Sequence, residues 1–176
     1  QRRRLTGGYV VREAEKPTRT LAAARIVHGG TYDPEPGALR QLSNVLANDH
    51  DLDLQVRALS PAELGKGQGL AFLTTQGDGE LTAAEAELIR KWLQAGGTLW
   101  LDAAGGSKAA TESARALLAL LMPDAKPVPL ALDHPIISGT RLGATAANNR
   151  WVSYRPYALK SMGPVKLLPT WILRPL

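Results

Sequence analysis

Asp102, Ser107 and His134 are the residue types of a hydrolytic triad. A serine oxygen would attack, an imidazole would take its proton, and a carboxylate would hold the other ring nitrogen. That chemistry needs Ser107 within hydrogen-bond reach of His134, and no Gly-x-Ser-x-Gly elbow surrounds Ser107 to present it. Ser107 also stands where the N-cap of a following helix belongs, which is the stronger reading. His134 lies between Asp133, a turn former, and Pro135, which fixes the chain direction, so a structural role outweighs a catalytic one. Asp102 closes an apolar run and serves equally well as a loop cap or a ligand. The chain has no cysteine, which excludes disulfides, thiolate metal sites and a cysteine nucleophile. His28, His50 and His134 show no HxH or HxxxH spacing, so no metal site is expected. Walker and Gly-x-Gly-x-x-Gly fingerprints are missing too, and no cofactor is expected.

Three Gly-bearing stretches supply the other candidates: His28-Gly29-Gly30, Thr75-Gln76-Gly77 and Asp102-Ala103-Ala104-Gly105-Gly106. Each follows an apolar run, and ligands of open parallel sheets collect beyond the carboxyl ends of the strands. Gly29, Gly30, Gln76, Gly77, Asp102, Gly105 and His134 are therefore the candidate ligand-binding residues. The competing explanation is that short strand-to-helix loops need glycine to turn. Trp151, Tyr154 and Tyr157 interleave with Arg150 and Arg155, a set that could stack on a base or a sugar. Covering a core edge or meeting a partner explains them better.

The elements that must position these residues follow from periodicity. Ala22 to His28 reads as a buried strand, and Asp33-Pro-Glu-Pro-Gly37 as a turn leading into an amphipathic helix over 36–48. Leu52, Leu54 and Val56 alternate with polar residues, the pattern of a half-buried strand at a sheet edge. Ser60-Pro61-Ala62-Glu63 is a capped helical turn, and Gly69 to Thr75 a central strand buried on both faces. Thr82 and Glu85 form a capping box for a helix whose buried stripe is Ala86, Ile89, Trp92 and Leu93, ended by Gly96-Gly97. Thr98 to Asp102 is the next buried strand, and a helix spans about 108–121, stopped by Pro123. This alternation predicts an α/β fold with right-handed crossovers, a mainly parallel sheet and helices on both faces. The strands near 22–28, 69–75 and 98–102 are expected to be central, and the strand at 52–57 further out.

With 176 residues the chain suits one domain, and with a single Phe its core must be mostly aliphatic. The net charge of +5 is uneven. Residues 1–25 and 150–176 each carry +5, and the stretch between carries −5. Residues 1–21 read as a basic flexible arm, 22–139 as the α/β domain and 140–176 as a loop-rich end. The basic ends could contact anionic surfaces, but the absence of interleaved aromatics in the first arm argues against nucleic acid. No apolar run is long enough to span a bilayer. The opening at Gln1 with Arg2, Arg3 and Arg4, without an initiator Met, suggests a processed segment following a signal peptide or anchor. A periplasmic or membrane-associated setting, with a protein partner or membrane-attached assembly, is the matching expectation.

RIVHGGTYDPEPGALRQL, LTTQGDGELTAAEAELIRKWLQAGGTLWLD and LDHPI together resemble a bacterial family, domain of unknown function 4159, over roughly residues 22–139. That family in turn looks like a branch of the class I glutamine amidotransferase-like fold, a flavodoxin-like three-layer sandwich. Its members run on with further strand-like segments, so 140–176 reads as truncated or divergent. In active amidotransferases the strand after such a Gly-Gly leads to an elbow bearing the catalytic Cys. The resemblance puts Ala103 about where that nucleophile would sit, and an alanine can neither attack nor relay a proton. It therefore implies a non-catalytic binding or assembly module, with two alternatives: a hydrolase using Asp102, Ser107 and His134, or a small-anion or nucleotide-sugar binding domain. The expected site is a cleft with Asp102 at its mouth, formed with Gln76, Gly77 and Gly105 and bordered by His134.

Overall fold

The computed structural model describes residues 10–13, 16–65, 67–77 and 81–130. His134, Trp151, Tyr154, Tyr157 and the rest of the C-terminal segment lie outside the described residues. The chain divides into two compact units, Tyr9–Ala125 and the set Gln1–Gly8 with Lys126–Leu176. Every helix and strand described below belongs to the first; residues 126–130 of the second carry neither.

Among the described residues four strands and three α-helices follow in the order β1 (Arg19–Ile26), α1 (Ala38–His50), β2 (Leu52–Leu59), β3 (Leu70–Thr75), α2 (Ala83–Gln94), β4 (Thr98–Ala103) and α3 (Lys108–Leu121), with only the short helical turn Pro61–Glu63 between β2 and β3. The strands lie in the order β2-β1-β3-β4, all pairings are parallel, and the mixed α/β arrangement is consistent with a flavodoxin-like three-layer fold. The loops differ by side. One residue, Asp51, joins α1 to β2, whereas β1 reaches α1 through residues 27–37.

The local chemistry explains the boundaries. Thr82 and Glu85 exchange the reciprocal bonds of a capping box at the start of α2, and Leu81 just outside packs in the same core as Ala86, a hydrophobic staple. At its end, Gly96 adopts φ 99° and the Gly97 N–H donates to the Trp92 carbonyl at 3.1 Å. The indole N–H of Trp92 also holds the loop ahead of β3, donating to the Gln68 carbonyl at 3.1 Å. α1 begins at Ala38, two residues after the expected start, because Pro36 stays in the turn and Gly37 becomes the N-cap. β1 begins at Arg19, inside the stretch read as an arm. Ahead of it, the Val10 N–H donates to Gln41 Oε1 at 2.9 Å, and Arg12 pairs with Asp53 at 2.7 Å.

Alternate residues of each strand feed two cores. Ala24, Ile26, Ala71 and Leu73 face α2 and α3, meeting Ile89, Trp92, Leu117 and Leu121. Ala23, Leu54 and Phe72 face the other way, against Leu39 and Leu46 of α1. Full burial of each Leu, Ile or Phe side chain among them contributes about 1.5–3 kcal/mol. Arg90 of α2 ties the first layer together, donating to the Leu120 and Leu121 carbonyls at 2.6 and 3.2 Å and so capping α3 with a cation at its negative end.

β4 departs from the expectation. It is the outermost strand of the described sheet rather than a central one, and its residues alternate. Leu99 and Leu101 pack on the two-helix core, while Thr98, Trp100 and Asp102 are exposed. The apolar run Leu99-Trp100-Leu101 reads as buried on both faces, but α1 packs over β2 and β1 and leaves Trp100 56% exposed, in tilted contact with Phe72.

Candidate functional site at the carboxyl edge of the sheet

In this strand order the chain reverses direction between β1 and β3, and the carboxyl ends of those two strands form the topological switch point. His28 stands there, 7% exposed. Its Nε2 donates to the Thr74 carbonyl of β3 at 2.7 Å, and its Nδ1 accepts from the Gly30 N–H at 3.1 Å. These partners select the tautomer with its proton on Nε2. Tyr32 meets the ring edge-on at 6.4 Å. The imidazole thus stitches the two strands together and fixes the Gly29-Gly30 turn. In the sequence His28 opens one of the three Gly-bearing stretches but lacks metal-ligand spacing, and it is not among the candidate binding residues. A histidine two residues beyond a buried strand, ahead of Gly-Gly, was the available signal.

The next loop is equally committed. Thr75, fully buried, shares a hydrogen bond with Ser113 of α3 at 2.8 Å and accepts the Gly77 N–H at 3.1 Å. Gly77 has φ 90°, and a Cβ there would lie 2.9 Å from the Ala109 backbone. Glycine at 77 is required by the turn and by the close approach of α3. Gln76 beside it is exposed.

After β4 the chain turns sharply through Ala104–Gly106, with Gly105 at φ 69°, before α3. Ser107 is the N-cap of that helix, its hydroxyl accepting the Ala110 N–H at 3.1 Å. The cap explains Ser107 fully, and no hydrogen bond joins it to Asp102 among the described residues.

Asp102 is different. It pairs in register with Thr74 and shares its sheet face with Trp100. Its carboxylate makes no hydrogen bond or ion pair among the described residues. Partial desolvation by the surrounding protein, with the nearby Glu35 charge adding to it, pushes its carboxyl above the ordinary aspartate range. Strand pairing brings Asp102 beside the end of β3, where Gln76 and Gly77 follow, and Gly105 lies in the turn beyond. Asp102 and Trp100 together offer a carboxylate and an indole, which can receive a cationic or hydroxyl-bearing group by hydrogen bonding and stacking. No group of three or more His, Cys, Asp or Glu side chains among the described residues is placed to hold a metal ion.

The profile of a family described as Domain of unknown function (DUF4159) matches residues 20–153. No curated protein and no solved structure matches the chain.

Proposed function

The chain belongs to the DUF4159 family, and we propose that this domain is a non-catalytic, amidotransferase-like binding or assembly module whose recognition group is Asp102. The observation that carries this reading is the state of that carboxylate. It closes a strand at the carboxyl edge, is crowded enough to have its pKa raised, and has no bonding partner among the described residues. A carboxylate that served only as a loop cap would be bonded to local amides, as Glu63 and Glu85 are. Two further observations support the non-catalytic half. A methyl group occupies the position after Asp102 where the family comparison would put a nucleophile, and the Ser107 oxygen is engaged as a helix cap. No helix of the described residues is long and apolar enough to cross a membrane.

The test combines binding and turnover. Calorimetric titration with glucosamine, which carries both an ammonium group and hydroxyls, should give binding to the wild type that is lost in Asp102→Asn. Ammonia release from glutamine and hydrolysis of a nitrophenyl ester should stay at background for wild type and for Ser107→Ala alike. Ester hydrolysis that disappears in Ser107→Ala would replace this reading by the hydrolase one. Equal glucosamine titrations for wild type and Asp102→Asn would remove Asp102 from recognition.

A further inference from the structure

An opening lies on the same face of the sheet as Trp100 and Asp102 but at the other edge, between α1 and the outer strand β2. It is a cleft of about 380 Å³ lined by Arg25, Leu39, Arg40, Leu54, Val56 and Ala58, with Pro36 and Ser43 at its margin. The volume falls within the range of small-molecule sites, roughly 300–1,000 Å³. Its floor is apolar, made by the helix-facing residues of β2 and by Leu39. Its two charged groups are both guanidinium ions.

The placement of those two cations is unusual for such a surface. Arg25 sits on β1, an inner strand, with Ala58 on one side and Phe72 on the other. Leu21 and Ala23, which precede it on the same face, belong to the apolar core against α1. Its side chain is only 15% exposed, and it forms an ion pair with Asp33 of the β1–α1 loop. That pair accounts for one guanidinium. Arg40, which is exposed, has neither a hydrogen bond nor an ion pair among the described residues. Ser43 offers little competition for a ligand, since its hydroxyl donates to the Leu54 carbonyl at 2.8 Å. With Asp33 balancing one cation, the cleft retains one uncompensated positive charge above an apolar floor.

We propose that this cleft binds a small organic anion, a carboxylate or phosphate group joined to an apolar body. The oxyanion would take the fork of Arg40 and those N–H groups of Arg25 that Asp33 leaves open. A guanidinium has five donors, so Arg25 can serve both. The apolar body would lie along Leu39, Leu54 and Val56, which fixes its direction relative to the charged end. Bidentate pairing suits both carboxylate and phosphate, and the shared chemistry is the planar or tetrahedral oxyanion beside a hydrocarbon. The site is separate from Asp102, which carries the opposite charge and lies at the other outer strand, so the two stand or fall independently.

The experiment titrates the whole chain with octanoate, octyl phosphate, octanol and inorganic phosphate, read by calorimetry and by thermal shift. The two amphipathic anions should bind at least about tenfold more tightly than octanol or phosphate alone, because hydrogen bonds to a charged group contribute that much. Arg40→Ala, at an exposed position, should keep the unliganded melting temperature and weaken octanoate by about tenfold. Ala58→Glu, on the outer strand, should abolish octanoate binding by placing an anion in the cleft. Asp102→Asn should leave it unchanged. Octanoate binding no tighter than octanol, no binding by either anion, or unaltered affinity in Arg40→Ala would each overturn the proposal.

Discussion

Asp51 at the amino rim of the sheet and Asp102 at the carboxyl rim are treated in opposite ways. At the amino rim, Asp51 accepts the Thr18 N–H at 2.8 Å and the Thr18 hydroxyl, and the Arg19 guanidinium donates to the adjacent His50 carbonyl at 2.5 Å. Those bonds from Thr18 hold the Asp51 carboxyl below the ordinary aspartate range. Asp53, next on β2, accepts from Gln55 and Arg12 at 2.8 and 2.7 Å and is lowered likewise. At the carboxyl rim, the Asp102 carboxylate has no such partners among the described residues and is raised. Asp51 spends its oxygens on closing the fold, whereas Asp102 is partly desolvated without a bonding partner among the described residues. Other acids near the carboxyl rim, Glu63 and Glu85, are bonded and lowered like Asp51.

The largest expected effect tests how tightly the amino rim is closed. A Cβ on Gly97 would lie 2.4 Å from the indole of Trp92, which also holds the Gln68 carbonyl. Gly97→Ala should lower the unfolding free energy by about 3 kcal/mol in urea melts, because the ring is fixed and cannot give way. A loss below about 1 kcal/mol would show this rim to be looser than the geometry implies.

Next comes the part of the carboxyl rim that is structural. His28→Leu removes a buried donor from the Thr74 carbonyl and an acceptor from the Gly30 N–H, and should cost about 2 kcal/mol. If chemical denaturation showed no loss, the switch point would be open rather than stitched, and His28 would join Asp102 as a candidate for recognition.

The smallest effect is the sharpest test, because its sign differs between rims. A lowered folded pKa means that Asp51 adds stability above the ordinary aspartate value, lost as pH falls through the folded one. Asp51→Asn should therefore lower the melting temperature at pH 7, with the gap to wild type closing in acid. For Asp102 the folded form holds its proton more tightly than the unfolded chain. Its charge opposes folding at neutral pH, and this penalty vanishes below the ordinary value. Asp102→Asn should leave the melting temperature unchanged or slightly higher at pH 7. A fall at pH 7 that closes in acid, as for Asp51, would make Asp102 a structural cap.

Much of the framework was legible because its signals are local. The Thr82–Glu85 box and Gly96-Gly97 bracket α2 within a few residues, and the alternation in Leu52, Leu54 and Val56 marked β2 as an outer strand. The β4 run misled because a strand's own residues do not say whether a helix crosses its second face. Trp100 would look the same in sequence if α1 covered it. At the site, Asp102 could be singled out as a carboxylate ending an apolar strand, but whether its carboxylate finds a partner depends on which loops reach it. The role of His28 depends on β3 lying beside β1, and the Arg25–Arg40 cleft on α1 crossing above β1, none of which is local in the chain.

The single-residue link between α1 and β2 has a consequence for remodelling. Asp51 turns the chain in the left-handed region, at φ 53°, while its N–H is bonded to the Leu46 carbonyl. Extra residues there would unseat both the helix end and the clamp on Thr18. Residues 27–37 run over a longer path, outside helix and strand, at the opposite side. New loops or whole inserted modules are thus better accommodated in that longer segment, where a graft can acquire a new specificity while the one-residue link keeps the scaffold in register.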